Sequence, residues 1–217
     1  VIFGTLIGPR IGRVAGFSYI EFVVPGLIMM SVISNSYGNV VSSVFGAKFQ
    51  RSIDEVLVSP VPSYVLLSGY VIGGVIRGLA VGSIVTCLSL FFTDLQVHNI
   101  TITVTIVFLT SVLFSLTGFI NAIYANSFDD ISIIPVFILT PLTYLGGVFY
   151  SMEMLPKFWQ DISMINPILY MVNAFRYGLL GVSDISVGWA FFMVAALCIV
   201  LFCYASYLLN QGKRLRT

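Results

Sequence analysis

The sequence predicts an all-α membrane protein, a six-span helical bundle, on three observations. Of its 217 residues, 58% are hydrophobic and 9% charged, where a soluble domain carries about 25% charged residues. The apolar residues gather in uncharged or nearly uncharged runs at 22–47, 64–92, 100–124, 131–150 and 187–209. At a rise of about 1.5 Å per residue, each run can cross a hydrocarbon core of about 30 Å. Runs of this length are too long for barrel strands, and a backbone in lipid must satisfy its own hydrogen bonds, so helices are the solution.

Taken in order, the chain begins with VIFGTLIG at residues 1–8. This run is too short to span and has no basic flank of the kind that precedes a signal peptide. It reads as the tail of a first membrane helix whose start lies upstream, which brings the expected count to six. Residues 8–19 form an outer loop, and the run at 22–47 ends near Gly46.

Next comes KFQRSIDEVLVSPVP, residues 48–62, the most polar continuous stretch in the chain. On a helix, Phe49, Ile53, Val56 and Leu57 fall at i, i+4, i+7 and i+8 and make one apolar stripe. Lys48, Arg51, Ser52 and Glu55 lie off it, and Pro60 and Pro62 stop the helix. The expectation is a short amphipathic helix on the cytoplasmic face, serving as an interfacial anchor or as a docking knob for a cytoplasmic protein.

Polar residues inside the spans are the next signal. Ser31, Ser34, Asn35, Gly38, Asn39 and Ser42 make one stripe at helical spacing in the run at 22–47. Hydrocarbon does not accept that many polar groups, so the stripe packs against another helix or lines a pathway. Arg77 stands near the middle of its span, where a charge costs about 2.5–3.5 kcal/mol or more. It is expected to face the bundle interior, a partner chain or a wet cavity, as a structural pair or as part of a path. Gly69 and Gly73, and Gly74, Gly78 and Gly82, recur at intervals of four and permit close helix approach. Pro141 within a span, followed by Gly146-Gly147, predicts a kinked helix.

Residues 151–186 are too apolar for a solvated loop and are broken by Pro156, Asn166-Pro167 and Gly178. Short helices in or on the outer leaflet are expected, with Trp159, Tyr170 and Tyr177 at the interface. Lys48, Arg51, Lys213, Arg214 and Arg216 fall on one side of six alternating spans, and Arg10, Arg13, Lys157 and Arg176 on the other. The modest bias puts both termini in the cytoplasm.

Several function classes are excluded. A net charge of +1 without a basic run argues against nucleic acid. Cys87, Cys198 and Cys203 lie in apolar runs at spacings that fit neither a disulfide framework nor zinc. The single histidine, His98, stands beside Asp94 in a short loop with no further ligands, and Asp129-Asp130 lacks the extra oxygens a cation needs. There is no GxxxxGK[ST], so no ATP site is expected on this chain. A channel filter and a two-half repeat are not visible, which weighs against a stand-alone channel or secondary transporter. A membrane scaffold subunit remains an alternative.

The segments FSYIEFVVPGLIMMSVI, FGAKFQRSIDEVLVSPVP, SFDDIS, LTPLTYLGGVFYS and INPILYMVNAFRYGLLG cover nearly the whole chain in order. They resemble the permease subunits of ABC type-2 exporters, in particular the YadH-like inner-membrane permeases of Gram-negative bacteria. The family's N-terminal cytoplasmic interfacial helix and most of its first span have no counterpart here. The resemblance implies one permease domain over 1–217 and a homodimer. Each subunit would dock a separate ATPase subunit that binds ATP and magnesium, and this chain would hold no cofactor or metal. It makes 48–62 a coupling helix with Lys48, Phe49, Arg51, Asp54, Glu55 and Leu57 as docking residues. Ser31, Ser34, Asn35, Asn39, Ser42, Arg77, Thr140 and Tyr144 become candidates for the translocation path or dimer interface. Asn166, Pro167, Tyr170 and Arg176 match an NP…Y…R motif in outer re-entrant helices. The implied activity is ATP-driven export of a lipid, glycan or amphipathic drug by alternating access.

Overall fold

The computed structural model describes residues 13–52, 61–93 and 97–211. The expectations for residues 1–8, Arg10, Asp54, Glu55, Leu57, Asp94 and the basic residues after 211 lie outside the described residues.

The described chain starts with a minimal hairpin. β1 (Arg13–Val14) and β2 (Phe17–Ser18) pair antiparallel, with Arg13 opposite Ser18. Gly16 takes φ +86° in the turn between them, a conformation that glycine adopts without strain. Ser18 then caps α1 (Tyr19–Phe49): its hydroxyl accepts from the Glu21 amide, and the Glu21 carboxylate accepts from the Ser18 amide at 2.8 Å. With 31 residues α1 is about 46 Å long, more than a bilayer core requires.

Three further helical stretches match the sequence expectation closely. These are α2 (Ser63–Ser89), α3 (Ile100–Tyr124), capped by Asn99, and α8 (Val187–Gln211). A fourth, Phe128–Leu145, is composite: α4 (Phe128–Ile134), a π-helical turn at Pro135–Leu139, and α5 (Thr140–Leu145). Among the described residues, five helical runs are therefore long and apolar enough to cross a membrane. The composite run begins before residue 131 because Ser127 and Asp130 form a capping box. It ends at Leu145, ahead of Gly147 at φ +71°. The expected irregularity takes the form of the π turn just before Pro141, a residue that has no amide hydrogen for the Phe137 carbonyl.

The 151–186 segment folds into short pieces, as its prolines and glycines predict. They are a 3₁₀ turn at Met152–Met154, α6 (Lys157–Met164) and α7 (Pro167–Leu180), which ends on left-handed Gly181. α6 is largely exposed, whereas α7 buries Met171, Val172 and Ala174 completely against the spans.

α1 is the central post. It packs against α2, α3 and α7, and Met29, Val32, Val40 and Val44 are wholly buried. Helix approach to α2 is set by the glycine ridge. A β-carbon on Gly78 would collide with Ser36 Oγ, one on Gly74 with Ser115 Oγ, and one on Gly82 would lie 2.7 Å from Val32. Gly69 has open space instead, so only the 74/78/82 ridge is a packing ridge. Gly78→Leu is expected to destabilise the α1–α2 contact by about 1–3 kcal/mol or more through overpacking. Thermal unfolding in detergent checks this, with Gly69→Leu as the near-neutral control. Outward-facing Ile72, Ile76, Ile84, Phe192, Ile199 and Val200 stay exposed, as a lipid-facing surface requires.

Candidate functional site

The polar stripe of α1 is not buried within the bundle. Ser34 and Ser42 are exposed and Ser31, Asn35 and Asn39 half-buried, on the face of α1 turned away from its core contacts. Much of its hydrogen bonding is local. Ser31 donates to the Leu27 carbonyl at 3.0 Å, Asn35 to that of Ser31 at 3.0 Å, and Ser42 to that of Gly38 at 2.7 Å. Such back-bonding satisfies the donors and leaves the stripe's oxygens available on its surface.

Arg77 flanks the stripe from α2. It is exposed, and its Nη1 donates to Asn39 Oδ1 at 3.3 Å. Arg77 thus pairs with a polar neighbour, yet presents its charge outward beside the stripe. The composite run flanks the stripe on the other side. Ser34, Tyr37 and Gly38 of α1 meet Pro135, Leu139, Thr140 and Thr143 around a groove of about 120 Å³. Thr140 is exposed, and its hydroxyl donates to the Pro135 carbonyl at 2.8 Å across the π turn. Tyr144, also exposed, stacks on Phe149 with centroids 5.4 Å apart. The structure therefore brings the α1 stripe together with Arg77 and Thr140 on one face of the helical bundle. Tyr144 continues α5 beyond Thr143.

At the far end of α1 the docking candidates separate. α1 runs through Phe49, so Lys48 and Phe49 belong to its last turn. Phe49 and Arg51 are exposed, Arg51 with φ +59°. Lys48, expected on the polar side of a surface helix, is buried instead. Its ammonium donates to the carbonyls of Ile123 at 3.0 Å and Ala125 at 2.8 Å. A cation at a helix C-terminus contributes about 0.3–1 kcal/mol, rising to about 2 where partly buried. Phe128 completes this end, edge-on to Phe45 at 5.0 Å and near Phe49 at 5.2 Å.

The opposite end is organised by the NP…Y…R residues. Asn166 caps α7 through the Ile168 amide at 3.0 Å and donates to the Leu142 carbonyl at 2.6 Å, joining α7 to α5. Pro167 occupies the first turn, where its missing amide hydrogen costs nothing. Tyr170 donates to the Met164 carbonyl at 2.8 Å. Arg176 is 1% exposed, lies 3.8 Å over the Phe22 ring and donates Nη2 to the Gly147 carbonyl at 2.6 Å. Its Nε and Nη1 have no hydrogen-bond partner among the described residues. Burial pushes the guanidinium pKa down to about 10, partly offset by the Asp184 carboxylate, so it stays charged at neutral pH. Asp184 accepts from Ser151 Oγ and the Met152 amide, each at 2.9 Å.

Phe22, Phe128 and Asp184 were not among the residues singled out from sequence, and Gly147 was singled out for a kink and not as the acceptor for Arg176. Each acts through a partner remote along the chain, and nothing in local spacing marks such pairs. His98 packs edge-on to Tyr177 at 5.5 Å, and its backbone amide donates to the Leu179 carbonyl. Its observed contacts are those of loop packing.

Comparison with known proteins agrees with this architecture. The family model described as ABC-2 type transporter matches residues 1–180. Over all 217 residues the chain is 54% identical to the inner membrane transport permease YadH of Escherichia coli K12, covering 85% of that protein. The same identity and coverage hold for the YadH of Shigella flexneri. Nodulation protein J of Rhizobium meliloti is 23% identical over 203 residues, covering 93% of this chain and 75% of that protein. A multi-pass helical bundle with an outward polar face, matched by this family model over most of its length, belongs to the ABC-2 type transporter family as a YadH-like transport permease.

Proposed function

We propose that the chain is the membrane half of an ATP-driven exporter, working as a homodimer with a separate ATPase subunit in the cytoplasm. The observation that carries this reading is the polar face of α1 with Arg77. A charge and a row of hydroxyl and amide groups lie on the outside of a protomer, at membrane depth. Lipid does not cover such a face at low cost, whereas a second subunit or an aqueous path between two subunits does. Ser31, Ser34, Asn35, Asn39, Ser42, Arg77, Thr140 and Tyr144 would border that path. Segment 48–62 would contain the coupling helix, beyond the left-handed residue Arg51, with Phe49, Arg51, Asp54, Glu55 and Leu57 on the ATPase. Both termini and this helix lie in the cytoplasm of a bacterial inner membrane in this scheme. ATP binding closes the ATPase pair, the coupling helices follow, and the spans re-angle to release a lipid, glycan or amphipathic drug outward. ATP and magnesium sit on the partner.

Affinity purification of the full-length protein from its native membrane tests the reading. A P-loop ATPase is expected to copurify in stoichiometric amount, and Glu55→Arg with Leu57→Asp to abolish that association. Absence of an ATPase, or an association indifferent to both changes, defeats the reading. ATP hydrolysis by the reconstituted complex, measured across a panel of lipids and glycans, then identifies the substrate class.

A further inference from the structure

Lys48 differs from its exposed neighbours Phe49 and Arg51, because its side chain enters the bundle. The Ile123 and Ala125 carbonyls lie at the end of α3, where a helix leaves acceptors without intrahelical donors. An ammonium group suits them both by hydrogen bonding and by charge. The linker just beyond is itself braced. Asp130 Oδ2 accepts from the Asn126 amide at 2.8 Å and the Ser127 amide at 3.1 Å, and the Ser127 hydroxyl accepts from the Asp130 amide. Phe128, the first residue of α4, is wedged against Phe45 and Phe49. The last turn of α1, the end of α3 and the start of α4 are therefore joined by charge-assisted hydrogen bonds and by aromatic contacts. Displacing residues 48–52 must carry the α3–α4 linker along or break those bonds. The run that starts at this linker leads into the π turn beside Ser34 and Gly38.

From this geometry we infer that Lys48 is a positioning residue, the strut through which motion of segment 48–62 reaches the composite run, rather than a docking contact. The inference rests on the proposed ATPase docking at that segment. It assigns Lys48 to transmission, and leaves recognition of the ATPase to exposed Phe49 and Arg51 and to the residues beyond them.

The test uses the full-length protein in complex with its ATPase, with Cys87, Cys198 and Cys203 replaced and Thr140→Cys as a maleimide reporter. In the parent complex, ATP, magnesium and vanadate are expected to change the labelling rate severalfold. Lys48→Met should still copurify the ATPase and hydrolyse ATP, but lose the ATP-dependent change in labelling. Lys48→Arg, which keeps charged donors, should retain it. A merely structural lysine would not split hydrolysis from labelling in this way. An intact labelling change in Lys48→Met overturns the inference, and so does loss of the ATPase from that variant. Should Lys48→Met fail to fold, Phe128→Ala reads the same joint: a weakened change supports the strut and an unaltered one overturns it. If the parent complex holds no ATPase, it is the exporter reading that falls, a result distinguishable from failure of the strut.

Discussion

Arg176→Ala is expected to destabilise the folded protein by about 3 kcal/mol, the largest stability effect at the α7 end of the bundle. Three losses contribute. A hydrogen bond from a charged donor is worth about 1.5–3 kcal/mol, and a desolvated cation–π contact about 2. Truncating a large, fully buried side chain leaves a cavity, at about 2–5 kcal/mol in comparable cases. These terms share one side chain and do not add. They are also offset, because Nε and Nη1 are buried without partners among the described residues and their removal relieves a desolvation cost. The same offset predicts the companion result. Arg176→Met keeps most of the volume while discarding the unpaired nitrogens, and apolar replacement of a buried charged group is often tolerated. It should recover much of the lost stability. For a protein of this size, 3 kcal/mol corresponds to a fall in Tm of roughly 6–12 °C, measurable by thermal unfolding in detergent. An alanine variant as stable as the parent would remove Arg176 from the role of tie between α7, Gly147 and Phe22.

Arg77→Leu is expected to give the opposite pattern, with normal abundance and lost transport. The side chain is exposed and its described hydrogen bond runs to Asn39, so folding forfeits little. Membrane insertion gains, because a mid-span arginine costs about 2.5–3.5 kcal/mol or more. If Arg77 contacts polar substrate in the path, the lost charge-assisted contact of about 1.5–3 kcal/mol lowers transport roughly 10- to 100-fold. Arg77→Lys should fall between, since a point charge replaces a planar fork. The checks are quantified membrane abundance and substrate-stimulated ATP hydrolysis in proteoliposomes. A fall in abundance with unchanged specific activity would make the residue structural.

The two arginines also mark where sequence reasoning stops. Arg77 was legible as a charge within an apolar span that needs a reason, and Arg176 only as a member of a motif. Neither its partner nor its direction was legible. Arg77 was expected to face the bundle interior, a partner chain or a wet cavity, and the packing of Gly74, Gly78 and Gly82 removes the first of these by turning it to the protomer surface beside Asn39. Arg176 meets Phe22 and Gly147 through contacts that no local periodicity encodes. Lys48 shows the same limit. Helical spacing set it on the polar side of a surface helix, but α1 continues through Phe49 and carries it inward to the end of α3.

By itself the sequence determined the helical class, four spans nearly to their ends, and the breakup of 151–186 into short pieces. Those features follow from hydrophobic run length, capping residues and prolines, which act within a few residues of themselves. Only the tertiary structure decided which face of α1 is left open, which glycines are packing ridges, and where Lys48 and Arg176 find their acceptors. Those outcomes depend on contacts between helices dozens of residues apart, where shape and charge at a meeting point decide and sequence distance carries no signal.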